Sequence, residues 1–163
     1  FVPKVENSQE DGEFHTTISN GEIEEDRDVT EEEAYEEIED KIGIRALRLG
    51  YKPDGMVLES IYLNKDMGEA QMQFQYNGNV FIIYENKQND DAVFEKIIDG
   101  EIVENIEIFL LNKTVDIIQI DKENETYSYA VQLESGNAYY YVNSDLNLKE
   151  FEQIIIGIFF ESV

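Results

Sequence analysis

The stretch that decides the fold is Ala70-Gln71-Met72-Gln73-Phe74-Gln75-Tyr76-Asn77-Gly78-Asn79-Val80-Phe81-Ile82-Ile83-Tyr84. Apolar side chains at 70, 72, 74 and 76 alternate with glutamines at 71, 73 and 75. A period of two is that of a strand with one face in the core and one face wet. Asn77-Gly78 is the preferred two-residue hairpin turn, because both central positions of a type I′ turn need a positive φ. Val80 to Tyr84 then returns as a more fully buried strand. The unit is an antiparallel hairpin.

The same grammar extends outward on both sides. Tyr51-Lys52-Pro53-Asp54-Gly55-Met56 is a turn, since Pro presets φ and Gly accepts φ > 0. Met56 to Leu63 reads as a strand, closed by the polar run Asn64 to Gly68. Asn86 to Asp91 reads as a polar loop, and Ala92 to Ile98 is compatible with a strand or a short helix. Ile102 to Leu111 and Lys113 to Asp121 read as strands around a turn near Asn112. Tyr127 to Leu133 alternates again, Ser135-Gly136-Asn137 turns, and Ala138 to Val142 comes back.

Helical patterns stand only at the two ends. Thr30 and Glu33 form a capping box, the glutamates at 31 to 33 suit the positive end of the helix dipole, Ala34, Ile38 and Ile42 share a face, and Gly43 is the stop. Asn147 caps a second helix with Glu150 as its reciprocal partner, and Leu148, Phe151, Ile154, Ile155, Ile158 and Phe159 fall on one apolar face. The predicted fold class is α+β: a meandering antiparallel sheet with an N-terminal and a C-terminal helix packed on one face. Residues 1–29 read as an acidic, loosely ordered arm or linker, and residues 30–163 as a single domain.

Charge narrows the partners. Thirty-seven acidic residues against 12 basic ones give a formal net charge of −25. Residues 1–41 hold 16 acids and 3 bases, a net of −13, and residues 42–163 hold 21 and 9, a net of −12. Such a surface repels nucleic acid and anionic lipid and attracts cations or basic partners. The absence of cysteine excludes disulfides, thiol catalysis and cysteine-held metals. The longest apolar run, Ile154 to Phe160, is too short to cross a bilayer. The chain starts at Phe1 rather than Met, which leads us to expect a removed segment upstream.

The order of elements, together with Tyr51-Lys52-Pro53-Asp54-Gly55-Met56 after the first helix, the hairpin Gly136-Asn137-Ala138-Tyr139-Tyr140-Tyr141, and Leu146-Asn147-Leu148-Lys149-Glu150-Phe151 leading into an apolar helix, resembles domain-of-unknown-function family 4367. The resemblance covers roughly Thr30 to Val163. The chain departs from the family pattern at Lys52, before the Pro, and at Met56, and Tyr129 stands where Trp is common. The resemblance implies a location: outside the membrane of Gram-positive bacteria, commonly after a single transmembrane helix, in some members after an anti-sigma-factor-like cytoplasmic segment. It implies no activity, no cofactor and no catalytic residue.

Candidate chemistry is sparse. His15, the one histidine, lies in the acidic arm. Glu59 and Glu107 are flanked by apolar strand neighbours, but alternation turns both toward solvent, so a hydrolytic carboxylate pair is not indicated. Asp121, Glu123 and Glu125 have the every-second-residue spacing of a calcium loop, yet Thr126 stands where its glycine belongs and Gln132 where its bidentate glutamate belongs. Tyr127, Tyr129, Tyr139 and Tyr141 are candidate ligand-facing aromatics. Cross-strand packing under the terminal helix is the competing account, favoured by Val131 and Leu133 on the same strand face. The expectation is a non-catalytic, extracytoplasmic sensor or interaction domain, anchored to the membrane only through an upstream segment, with an unknown protein or small ligand as its partner. A carrier for an apolar ligand is the alternative, and a carboxylate hydrolase comes last.

Overall fold

The computed structural model of the protein describes residues 23–26, 29–88 and 98–161. His15, most of the acidic arm and the 92–97 segment lie outside them. Helix α1 (Glu31–Ile42) begins as its cap dictates: the Thr30 hydroxyl accepts from the Glu33 amide at 3.1 Å, and the Glu33 carboxylate accepts from the Thr30 amide at 2.9 Å. Gly43, at φ 80°, ends it. Ala34, Tyr35, Ile38 and Ile42 form the buried face.

Ten strands are seen among the described residues. Eight form one antiparallel sheet in the order β1 (Ile23–Asp26), β3 (Val57–Asn64), β4 (Glu69–Tyr76), β5 (Asn79–Lys87), β9 (Ala138–Ser144), β8 (Tyr127–Ser135), β7 (Lys113–Asp121), β6 (Glu101–Ile108). The sheet is two meanders laid edge to edge, with β5 against β9 at the seam. The chain therefore passes from the centre to the far edge between β5 and β6, which hairpin signals alone do not indicate. Asn77 (φ 50°) and Gly78 (φ 80°) make the expected tight turn, closing the pair Tyr76↔Asn79.

Helix α2 (Leu148–Ile156) lies on the same face of the sheet as α1. Phe151 is its anchor: fully buried, it packs 6.0 Å from the Phe81 ring and 6.1 Å from the Tyr129 ring, centre to centre. Phe74 closes edge-on against Phe81 at 6.2 Å. These rings, with Met72, Ile83, Val131, Val142 and Ile154, fill the space between helices and sheet, and each buried large side chain contributes about 1.5–3 kcal/mol. The predicted α+β class and the antiparallel sheet with helices on one face are what the fold contains.

Several details differ from the sequence reading. Strand β6 ends at Ile108 and not at Leu111, because Phe109–Leu111 coil into a 3-10 turn closed by Asn112 at φ 52°. Strand β1, inside the expected arm, pairs with the otherwise open edge of β3, Ile23↔Asn64 to Asp26↔Ile61. Strand β5 runs on past Tyr84 to Lys87, because β9 offers it a partner through Lys87↔Ala138. Asn147 accepts from the Glu150 amide at 2.9 Å, but the box is only half made, for the Glu150 carboxylate bonds the Tyr76 hydroxyl instead. Finally, α2 stops before Gly157. Ile158 and Phe159 leave the helical face and form strand β10 (Ile158–Phe159) against β2 (Arg48–Leu49). The Gly50 amide donates to the Gly157 carbonyl at 3.0 Å, and a Cβ on Gly50 would stand 2.5 Å from that oxygen. Only glycine lets the two segments approach so closely.

Candidate functional site

The four candidate tyrosines do not form one platform. In the β8–β9 register Tyr129 lies opposite Ser144 and Leu133 opposite Tyr140, whereas Tyr139 and Tyr141 lie opposite Glu134 and Gln132. Alternation therefore sends Tyr129 to the helix side, against Phe151, and sends Tyr139 and Tyr141 to the other face. There they join Tyr84 and Ala130 in a second apolar cluster, to which Ile98 and Ile120 add. Packing under the terminal helix thus accounts for Tyr129 alone, and both Tyr139 and Tyr141 are fully buried without it. Only Tyr127 presents much of its ring to solvent. Burial also holds the phenols of Tyr84 and Tyr139 in the neutral form, well above the usual tyrosine range.

Asp121 closes β7, and Glu123 and Glu125 sit on a short turn in which Asn124 and Glu125 take positive φ; all three acids are exposed. Among the described residues no group of three or more acidic or histidine side chains converges on a point where a metal would sit. Glu107 is exposed on β6, and Glu59 accepts from the Gln73 side-chain amide at 2.7 Å across β3 and β4. Gln73 and its neighbour Gln71 belong to the face read as wet, yet Gln71 is buried, because the outer tyrosine cluster shields the sheet centre.

The carboxyl that sequence reading missed is Glu85. It falls between the strand predicted to end at Tyr84 and the loop predicted to begin at Asn86, but β5 continues through it and pairs it with Tyr140 and Ala70. It shares the helix-side face with Phe81 and Ile83 and has no exposed surface. The Leu47 amide donates to its Oε1 at 2.9 Å, while Oε2 has no hydrogen-bond partner. Burial raises its pKa to about 8; the Leu47 bond and the charge of Arg48 pull the other way, and Glu39 adds to the rise. At neutral pH the group is mostly protonated.

Around it, side chains tie α1 to the segment before β3. Arg48, itself buried, reaches Glu32 at 2.9 Å, Glu39 at 3.0 Å and Glu161 at 3.4 Å, and its guanidinium lies 4.9 Å from the centre of the Tyr35 ring. Burial opposes the Arg48 charge, and the three carboxylates outweigh it, so its pKa is raised. Glu39 accepts from the Ala46 amide, the Tyr35 hydroxyl accepts from the Leu49 amide, and the Tyr140 hydroxyl donates to the Arg45 carbonyl at 2.6 Å. These bonds satisfy the backbone of 45–49, which has a strand partner only at Arg48 and Leu49. The cluster is a structural clasp: Glu85 is sealed from solvent and cannot meet a substrate.

The concavity lies elsewhere. The β7–β8 ladder runs from Asp121↔Tyr127 to Ile118↔Ala130 and ends there, although β7 continues back to Lys113 and β8 on to Ser135. Lys113 to Asp116 and Ile118 on one side, with Gln132 to Glu134 on the other, line a groove of about 460 Å³ between the two strands. Each strand is fully paired on its far side, β7 with β6 and β8 with β9. The distal half of the β6–β7 hairpin is held on the helix side, where Ile106, Ile108 and Val115 enter the core, β6 touches α2, and the Phe109–Leu111 turn lies beside β10. The sheet is forked at this place.

Comparison with curated proteins and with solved structures finds no match. The family model described as "Domain of unknown function (DUF4367)" matches residues 46–158, from just before β2 to the first residue of β10. That span contains the hairpins, the fork and all of α2, and it exceeds half of the chain, so the chain belongs to this family.

Proposed function

We propose that this is a non-catalytic extracytoplasmic interaction or sensor domain of a membrane-anchored protein. The observation that carries the reading is the division of labour between core and groove. The one wholly buried acid of the described residues lies inside the packed core, whereas the groove lies where the β7–β8 ladder of the described residues stops at Ile118↔Ala130. A carboxylate hydrolase needs paired acids across a cleft, and strand edges bind chain rather than transform it. The filled layer of Phe74, Phe81, Phe151 and Ile154 also speaks against a carrier for an apolar ligand. Placement outside the membrane, and any link to sigma-factor control, come from the family resemblance.

Native mass spectrometry of the purified protein, repeated on the denatured sample, tests the first half. The expected native mass is that of the chain alone; an excess released on denaturation would establish a carried ligand. For placement, the absence of cysteine from the sequence helps. Asp54→Cys at the exposed turn before β3, made in the full-length protein, should react with a membrane-impermeant maleimide on intact cells above the level of the parent. Labelling only after lysis would place the domain inside.

A further inference from the structure

The fork between β7 and β8 has the features of a strand-acceptor site. Two-residue hairpin geometry makes Ser135↔Ala138 a hydrogen-bonded pair, so odd-numbered residues of β8 direct their peptide groups to β9 and even-numbered ones to β7. The Gln88 amide donating to the Asn137 carbonyl and the Asp145 amide donating to the Val80 carbonyl agree with that phase on β9. Carried across Ile118↔Ala130, the same phase directs the peptide groups of Thr114 and Asp116 on β7, like those of Glu134 on β8, into the fork. Among the described residues these groups have no ladder partner beyond Ala130. Among the described residues no β7–β8 ladder pair joins 113–117 to 131–135, a length of about 16 Å of extended chain.

The two faces of the fork differ. On the helix side its floor is Val115 and Leu133, both buried. On the outer side stand the carboxylates of Asp116 and Glu134, with Glu107 beside Thr114 across the β6–β7 ladder. At the mouth, the turn joining β6 to β7 holds out Phe109 and Leu110, 79% and 66% exposed. A chain of net charge −25 adds a general attraction for cations.

We infer that the fork binds an extended segment of a partner protein whose residues alternate apolar and basic. The segment lies between β7 and β8 as an added strand, its peptide groups pairing with those of Thr114, Asp116 and Glu134. Its apolar side chains meet Val115 and Leu133, and its Lys or Arg side chains meet Asp116, Glu134 and Glu107. Phe109 and Leu110 extend the apolar contact at the entrance. This rests on reading the domain as an interaction module and names the chemistry of its partner.

The test pans the intact chain against a phage-displayed library of random dodecapeptides. Enriched sequences are synthesised, their affinity measured by fluorescence polarisation, and their footprint mapped by amide hydrogen exchange. Alternating apolar-basic peptides are expected, with slowed exchange confined to 113–117 and 131–135. Glu134→Pro removes a donor directed into the fork and leaves the β8–β9 ladder whole, so it should weaken binding about tenfold. The exposed double charge reversal Asp116→Lys/Glu134→Lys keeps the backbone and should turn basic peptides away. Peptides that protect another surface, or bind both variants unchanged, overturn the fork while leaving an interaction module. No enriched peptide overturns the fork too, and the interaction reading then stands or falls on the mass spectrum and the labelling. Self-association in sedimentation that Glu134→Pro abolishes would make the occupant a second copy of this chain, which also overturns the proposal.

Discussion

Glu85 makes stability depend on pH with a sign opposite to that of an ordinary salt-bridged acid. In the unfolded chain its carboxyl titrates near 4.5, and in the fold burial raises it to about 8. Between these values the folded protein holds a proton that the unfolded chain has released. Unfolding therefore releases a proton, and stability falls as pH rises through the window, levelling off above the folded pKa, where both states are ionised. At about 1.4 kcal/mol per unit, the loss between pH 5 and pH 8 is on the order of 3 kcal/mol. Repulsion among the other carboxylates works in the same direction, so the wild-type curve alone does not isolate the effect. Glu85→Gln does, because an amide oxygen can still accept the Leu47 bond and the side chain never ionises. Urea unfolding of both proteins, followed by circular dichroism because the chain has no tryptophan, should give a stability difference that shifts in favour of the variant by that amount from pH 5 to pH 8. The amide group must itself find room beside Arg48, which displaces the difference at every pH without changing its slope. A difference that stays flat across the window would refute the raised pKa and with it the account of the clasp.

Phe151→Ala empties the space between Phe81 and Tyr129 and should cost about 3–5 kcal/mol in the same denaturation assay, with loss of the near-ultraviolet tyrosine signal. Gly50→Ala sets a methyl group 2.5 Å from the Gly157 carbonyl and should cost about 1–3 kcal/mol, because the Gly50–Gly157 bond joining the two segments must open. Calcium should raise the melting temperature of Asp121→Ala/Glu123→Ala as much as that of the wild type, since any response of so acidic a chain is diffuse; a response lost in the variant would establish a site at that turn.

How far the sequence could be read follows from the range of the forces involved. The capping box at Thr30, the type I′ turn at Asn77-Gly78 and the α2 anchor Phe151 are local matters, decided within a few residues, and the structure has them where pattern places them. Burial at Glu85 is not local. Its neighbours in sequence, Asn86, Lys87 and Gln88, are polar and say loop, and the residue goes inside only because β9, more than fifty positions away, pairs with β5 through Lys87. Period-two reading carried one step past Tyr84 would have put Glu85 on the face of Phe81 and Ile83, and that was the one available signal. The division of the tyrosines had a signal too. Tyr139, Tyr140 and Tyr141 are consecutive, so alternation alone splits them between faces, but which side takes Tyr129 depends on the hairpin register.

The fork left no such trace, because it is a pairing that stops rather than a residue that is wrong. Lys113 to Ile117 and Val131 to Ser135 each read as good strand, and each is strand. What parts them is the pull of the core on the hairpin that carries β7, with Ile106, Ile108 and Val115 drawn to the helix side while β8 stays bound to β9 along its length. The carboxylates of Asp116 and Glu134 would favour a basic strand between the lips. In the proposed complex the same carboxylates would turn away another copy of this acidic chain and favour a basic strand, so that one pair of side chains would serve both discriminations.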